Sequence, residues 1–163
     1  MRNVLLQLDT SPLPSVFDQV VAYDAGADEV LSYSGIRESD IRELVQGCIF
    51  TRGPKDLRHT AVFIGGTDME AGERLLAAAQ KAFVPPFMVS LMLDSNGSNT
   101  TAVAAVAKML EAAGDVRGKR AVVLAGTGPV GTRAAGLLAR AGADVLITSR
   151  KADTGERART LVN

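Results

Sequence analysis

The chain has no tryptophan, one cysteine and one histidine, and that scarcity removes several classes of chemistry. A lone Cys48 excludes an internal disulfide framework and suits a reducing compartment. One His and one Cys are too few for a transition-metal site, and no zinc-type spacing occurs. His59 lacks the Ser, Asp or Glu pattern of a triad and reads as a surface or loop residue. Cys48 reads as core rather than nucleophile. Neither sign of charge is in excess: 18 basic residues balance 18 acidic ones, so no global field recruits nucleic acid or an anionic membrane. No run of like charges makes a tail. No apolar stretch approaches the roughly 18 residues of a membrane span. The start, MRNVLLQLDTSPLP, is interrupted by Gln7 and Asp9, which indicates a buried strand rather than a secretory signal. The expectation is a soluble, cytoplasmic protein without a nucleic-acid or membrane partner.

What is present is apolar sequence in short, spaced runs. At 163 residues and 47% hydrophobic, the chain can bury a real core. Strands are expected at Asn3–Leu8, Glu29–Tyr33, Cys48–Thr51, Ala61–Ile64, Met88–Leu93, Ala121–Ala125 and Asp144–Thr148, several of them β-branched and bounded by Gly, Pro or Asp. Helices are expected near Pro14–Ala25, Glu38–Gln46, Met69–Phe83, Thr101–Ala113, Val130–Ala141 and Asp153–Val162. Leu75, Leu76, Ala79 and Phe83 keep helical spacing and give one apolar face. Alternation of this kind predicts an α/β fold with a mostly parallel sheet. The polar stretch Gly114-Asp115-Val116-Arg117-Gly118-Lys119 marks a seam. The expected division is an α/β unit over residues 1–98, a connecting helix and turn over 99–117, and a second unit over 118–163.

The second unit carries the most specific local signal. Strand Ala121–Ala125 runs into Gly126-Thr127-Gly128-Pro129-Val130-Gly131 and then into an Ala/Leu-rich helix. In a dinucleotide-binding loop the first glycine permits a tight turn, the second admits a pyrophosphate, and the third lets helix and strand pack closely. The helix start adds unpaired N–H groups and the positive end of a dipole. Pro129 suits that entry, because the first turn does not need its missing N–H. Strand, loop, helix and second strand at the right spacing make the motif strong where the glycines alone are weak. The expectation is an incomplete Rossmann-type unit, because a full one has two βαβαβ halves.

The end of the second strand selects the cofactor. An acid about 20 residues after the loop holds the ribose 2′-OH of NAD, whereas an Arg there accepts the 2′-phosphate of NADP. Residues 147 to 151 are ITSRK, without an Asp or Glu. Ser149, Arg150 and Lys151 are donors. A charge-assisted hydrogen bond contributes ~1.5–3 kcal/mol, so one or two favour NADP by about tenfold or more.

The first unit offers polar loops at strand ends. DSNGSNTT, Asp94 to Thr101, follows one strand and precedes a helix. It fits a ligand loop at the carboxyl end of an open α/β sheet. It fits equally a capping segment, with Ser98 or Asn99 as N-cap. Arg52 and Lys55 in FTRGPKD follow another short strand and either hold an anionic or amide-bearing ligand or face solvent. In IGGTDMEAGER, Thr67 or Asp68 reads as an N-cap beyond Gly65 and Gly66. Tyr23, Asp24 and Asp28 read as a helix end and turn around Gly26.

Together, LLQLDTSPLPSVFDQVVAYDAGAD, TRGPKDLRHTAVFIGGTDMEAGER, LMLDSNGSNTT and KRAVVLAGTGPVGTRAAGLLARAGADVLITSRK resemble the NADP-dependent methylene-tetrahydromethanopterin dehydrogenases of methylotrophic bacteria, over essentially the whole chain. The resemblance implies oxidation of methylene-tetrahydromethanopterin, or of methylene-tetrahydrofolate, to the methenyl form with hydride transfer to NADP in one-carbon metabolism. It implies an N-terminal α/β catalytic unit beside the NADP unit, a pterin bound between them, and a homo-oligomer, a trimer in the family. Carried across, Thr127 to Gly131 lie on the pyrophosphate, Ser149, Arg150 and Lys151 on the 2′-phosphate, and Asp94 to Thr101 along the pterin side. That places Asn96, Ser98, Asn99, Thr100 and Thr101 with Arg52 and Lys55 as substrate-side candidates, and Asp94 as the carboxylate facing the growing positive charge. Family members are longer, so the resemblance is to their N-terminal part.

The chemistry suits the sparse inventory, because only a hydride leaves and no histidine base is required. A non-catalytic NADP-binding or assembly module is the alternative from another class. A shikimate-type or methylene-tetrahydrofolate dehydrogenase is a third reading, disfavoured because the first unit has no convincing Lys–Asp pair or Tyr-x-x-x-Lys.

Overall fold

The computed structural model describes residues 1–162, which divide into two units, Met1–Asn96 and a second unit from Gly97. The first contains β1 (Val4–Asp9), α1 (Val16–Asp24), β2 (Glu29–Tyr33), α2 (Glu38–Ile49), β3 (Thr60–Gly65), α3 (Met69–Ala82) and β4 (Ser90–Leu93). Its sheet is wholly parallel in the order β2-β1-β3-β4. Alternation along the two central strands decides the core. Leu6, Leu8, Val62 and Ile64 are buried and meet Ile41, Val45 and Ile49 of α2 and Leu75, Ala79 and Ala82 of α3. Those helical residues recur three or four positions apart, the spacing that lines one helical face.

Gln7 falls on the other face of β1 and is buried, so its amide must be satisfied. Its Oε1 accepts the Ser32 hydroxyl at 2.6 Å, and its Nε2 donates to the Ser15 carbonyl at 3.2 Å. One polar side chain thus ties β1 to β2 and to the start of α1. Ser15 caps that helix by accepting the Asp18 N–H at 3.2 Å.

The second unit contains α4 (Ser98–Ala113), β5 (Arg120–Val123), α5 (Pro129–Arg140), β6 (Asp144–Ile147) and α6 (Ala152–Val162). Strands β5 and β6 pair in parallel, with Val123 opposite Ile147. Ala102 and Val106 of α4 bury against Ala134 and Leu138 of α5, where small side chains allow close approach. The helix expected to connect two units is therefore packed inside the second one. The chain passes between units through Asn96 (φ 57°) and Gly97 (φ 59°), two consecutive left-handed residues. No helix among the described residues is long and apolar enough to cross a membrane.

One expected strand is absent. Residues Cys48 and Ile49 continue α2, and Phe50 and Thr51 leave it without entering a sheet. Periodicity alone does not separate a short apolar run such as CIF in a strand from the same run in a buried helix. Ile49 completes the buried Ile41–Val45–Ile49 stripe, and that tertiary packing decides for helix. Cys48 is half-buried on this last turn, and burial pushes its thiol pKa up, which keeps it a protonated packing residue. Other boundaries move by one to three residues: β4 begins at Ser90 rather than Met88, α4 at Ser98 rather than Thr101, and β5 ends at Val123 rather than Ala125.

Candidate functional site

In an open parallel sheet, ligands bind beyond the carboxyl ends of the strands. In the first unit three of the carboxylates at that edge, Asp9, Asp18 and Asp94, interact, with both others acting on Asp18. Asp9 ends β1 and is buried; its carboxylate accepts the N–H groups of Ser11 at 2.7 Å and Ser15 at 3.0 Å and so shapes the loop between them. Asp18 stands in the first turn of α1, half-buried. Burial pushes its pKa up first; the Ser15 hydrogen bond opposes this, and the charges of Asp9 and Asp94 add to it. Asp94 follows β4 directly and is half-buried, with its N–H donating to the Ile64 carbonyl at 2.9 Å.

The turn after β4 is held firmly. Ser95 is fully buried, with its hydroxyl donating to the Gly65 carbonyl at 3.3 Å, and the Asn96 N–H donates to the Gly66 carbonyl at 2.7 Å. A Cβ on Gly72 would run into the Ser95 hydroxyl and stand 3.0 Å from Leu93, so α3 passes this turn only because residue 72 is glycine. Across the adjoining loop, Asp68 caps α3 by accepting the Ala71 N–H at 2.9 Å, as its position in the sequence implied.

Within the first unit, the expected substrate-side residues do not all gather at this edge. Asp94 and Asn96 are here, and Asn96 is exposed. Ser98, Asn99, Thr100 and Thr101 form the first turn of α4 in the second unit. Ser98 is fully buried, and the cap of that helix is Gly97 rather than Ser98 or Asn99. Thr100 and Thr101 are exposed, while the half-buried Asn99 accepts a hydrogen bond from Arg133 Nε. Arg52 sits at the amino end of β3, where it donates to the His59 carbonyl at 2.7 Å and the Thr60 hydroxyl at 3.0 Å; Lys55 is exposed in the following turn. Both lie on the chain entering β3, away from the carboxyl edge. His59 pairs through Nδ1 with Asn3 Oδ1 at 2.9 Å, an ordinary loop contact.

In the second unit the glycine loop leaves the carboxyl end of β5. A Cβ on Gly126 would meet Val123 Cγ1 at 2.7 Å, and one on Gly131 would meet the Gly126 Cα at 2.7 Å. A Cβ on Gly128 would meet nothing within 4 Å. Two glycines are therefore required by the fold, and the middle one keeps an open approach to the backbone. Pro129 opens α5, Val130 is half-buried behind it, and Thr132 donates to the carbonyls of Gly126 at 3.2 Å and Gly128 at 3.0 Å. Thr127 is half-buried in the turn itself.

The ITSRK segment leaves the same edge beside this loop. Thr148 accepts the Ala125 N–H at 2.9 Å, and its own N–H donates to the Val123 carbonyl at 3.1 Å. Ser149, Arg150 and Lys151 are exposed in the turn that enters α6. The open approach at Gly128, the start of α5 and the exposed Arg150 and Lys151 thus stand at one strand edge, and a helix start favours an anionic group. Among the described residues, no group of three or more metal-ligating side chains gathers.

Residues 16–96 match the family model described as methylene-tetrahydromethanopterin dehydrogenase, N-terminal. The chain belongs to the methylene-tetrahydromethanopterin dehydrogenase family and corresponds to its N-terminal portion. Two relatives from Methylorubrum extorquens extend the likeness past the matched domain. One, named bifunctional protein MdtA, is 53% identical over 163 residues, covering 99% of this chain and 57% of its own. The other, named NAD(P)-dependent methylenetetrahydromethanopterin dehydrogenase, is 37% identical over 151 residues, covering 90% of this chain and 51% of its own. The chain spans about half the length of these relatives.

Sequence reasoning missed Asp9, Asp18 and Thr148. The Ser15-x-x-Asp18 spacing was a readable helix start, but nothing local showed that Asp18 would share an edge with Asp94. That proximity arises from strand order alone.

Proposed function

We propose that this chain supplies the pterin-side and NADP-side surfaces of a dehydrogenase that oxidises a methylene-tetrahydropterin to its methenyl form in one-carbon metabolism. The observation that carries the reading is the pairing of an open-approach glycine loop with Ser149-Arg150-Lys151 at one strand edge, in a chain of this family. Bound NADP supplies the hydride acceptor. Thr127 to Gly131 hold the pyrophosphate against the start of α5, and Arg150 and Lys151 hold the 2′-phosphate as charged donors. The absence of an acid at residues 147–151 supports NADP over NAD.

In the substrate, one C–H bond of the methylene breaks and both its electrons leave with the hydride. The methenyl carbon keeps a positive charge shared with its two nitrogen neighbours. No proton leaves in that step, so no base is required of this chain. Asp94 is the proposed carboxylate facing that charge. The repulsion that helps to raise the Asp18 pKa favours the arrival of a cation, because a positive charge there relieves two carboxylates at once. Exposed Asn96 at this edge is a proposed pterin contact. The family resemblance also makes a homo-oligomer part of this proposal.

The test is reduction of NADP by methylene-tetrahydromethanopterin and by methylene-tetrahydrofolate, with NAD run in parallel. Turnover that prefers NADP and drops in Asp94→Asn supports the reading. Binding of NADP without turnover of either substrate favours a non-catalytic binding module. That second reading draws on the exposed Val122 and Leu146, which leave one face of the two-stranded sheet uncovered.

A further inference from the structure

The Ser149–Lys151 turn contains one hydrogen-bond donor more than it needs. The Lys151 carbonyl accepts the Gly155 N–H at 3.1 Å as the first bond of α6. Two hydroxyls also lie within donating distance of it, Ser149 at 2.7 Å and Thr154 at 2.9 Å. A carbonyl oxygen offers two lone pairs, so the N–H and one hydroxyl fill it. The hydroxyls lie 2.8 Å from each other, and Ser149 Oγ accepts the Lys151 N–H at 3.2 Å. Of the two hydroxyl protons, only one is required to satisfy the turn.

Which proton stays is set by the backbone. Thr154 reaches a carbonyl three residues earlier in its own first helical turn, a usual local bond for a threonine. Ser149 sits on the strand side, next to the exposed Arg150, at the point where a 2′-phosphate is expected.

Resting on the NADP reading, we propose that Thr154 is a positioning residue for 2′-phosphate recognition. By occupying the Lys151 carbonyl, it frees the Ser149 hydroxyl to donate to a phosphate oxygen. The turn then keeps its shape, because Ser149 Oγ still accepts the Lys151 N–H, and the serine completes a three-donor set with Arg150 and Lys151. Without the Thr154 hydroxyl, Ser149 must stay on the carbonyl or leave it short of a donor, and the phosphate loses one charge-assisted hydrogen bond.

The test is calorimetric binding of 2′,5′-ADP and 5′-AMP to the full chain, which isolates the 2′-phosphate and requires no turnover. Thr154→Val is expected to weaken 2′,5′-ADP about tenfold, the lower end of the contribution of a hydrogen bond to a charged group, and to leave 5′-AMP unchanged. Thr154→Ser should bind as the parent does. In a Ser149→Ala background, adding Thr154→Val should cost nothing further, because the hydroxyl it governs is already gone. Equal weakening of both ligands, a further loss in the Ser149→Ala background, or no loss at all would overturn the proposal. If Arg150→Ala abolishes the preference for 2′,5′-ADP while Thr154→Val does not, the NADP reading stands and the role of Thr154 falls. A parent chain that binds the two ligands equally removes both.

Discussion

At the scale of single residues, the glycine loop separates what the fold needs from what a ligand needs. Gly131→Ala drives a Cβ onto the Gly126 backbone, so the loop or the start of α5 must shift. The expected outcome is a lower unfolding midpoint together with weaker dinucleotide binding. Gly128→Ala meets open space in the folded chain. It should leave the unfolding free energy within about 0.5 kcal/mol of the parent while weakening 2′,5′-ADP, because the methyl enters the path of the phosphate. Equal stability loss in both variants would show that Gly128 is structural. Asp18 gives a second residue-scale expectation. Its folded pKa lies above the ordinary 3.8, so the folded chain holds this proton more tightly than the unfolded chain does. Stability from this group therefore falls as pH rises from about that value through the folded pKa, and stays lower beyond it. Asp18→Asn removes the titration; denaturant midpoints at mildly acid and neutral pH should then differ less than in the parent.

At the scale of elements, packing corrects what local pattern suggests. The run Cys48–Thr51 looks strand-like, yet Ile49 lies one helical step beyond Ile41 and Val45 and completes their buried stripe. Ile49→Ala should destabilise the first unit by about 2–5 kcal/mol, measurable by chemical unfolding, whereas the same change at exposed Val103 on α4 should cost little. The glycine loop was legible for the opposite reason. Its residues interact within one strand–turn–helix segment, so spacing alone carried the geometry. The Asp94–Thr101 stretch was only half legible. Its polarity marked a strand end, but the division of its residues between two units depends on Asn96 and Gly97 both taking left-handed backbone, for which Asn-Gly gave only a turn signal. Arg52 follows no strand: Cys48 and Ile49 end α2, so there is no strand end there for it to occupy.

At the scale of the whole molecule, the two units hold separate sheets, and the proposed phosphate site lies in the second. A ligand stabilises the unit that binds it. Hydrogen exchange with and without 2′,5′-ADP should therefore show new protection in the glycine loop and the start of α6. Protection in β1 to β4 should remain unchanged, and the opposite distribution would place the phosphate site in the first unit.

The strand order has one more consequence, for how the chain acquires its structure during synthesis. β1 is made first, yet it lies inside the sheet between β2 and β3, with Val4 against both Glu29 and Thr60. As the ribosome delivers the chain, β1 can gain one neighbour early, but its other edge stays unpaired until β3 has emerged. Parallel pairing across a crossover is slow compared with local helix formation. The nascent chain therefore passes through an interval in which Leu6 and Leu8 lack half of their sheet, and this stretch is the point most exposed to mispairing before the first unit closes.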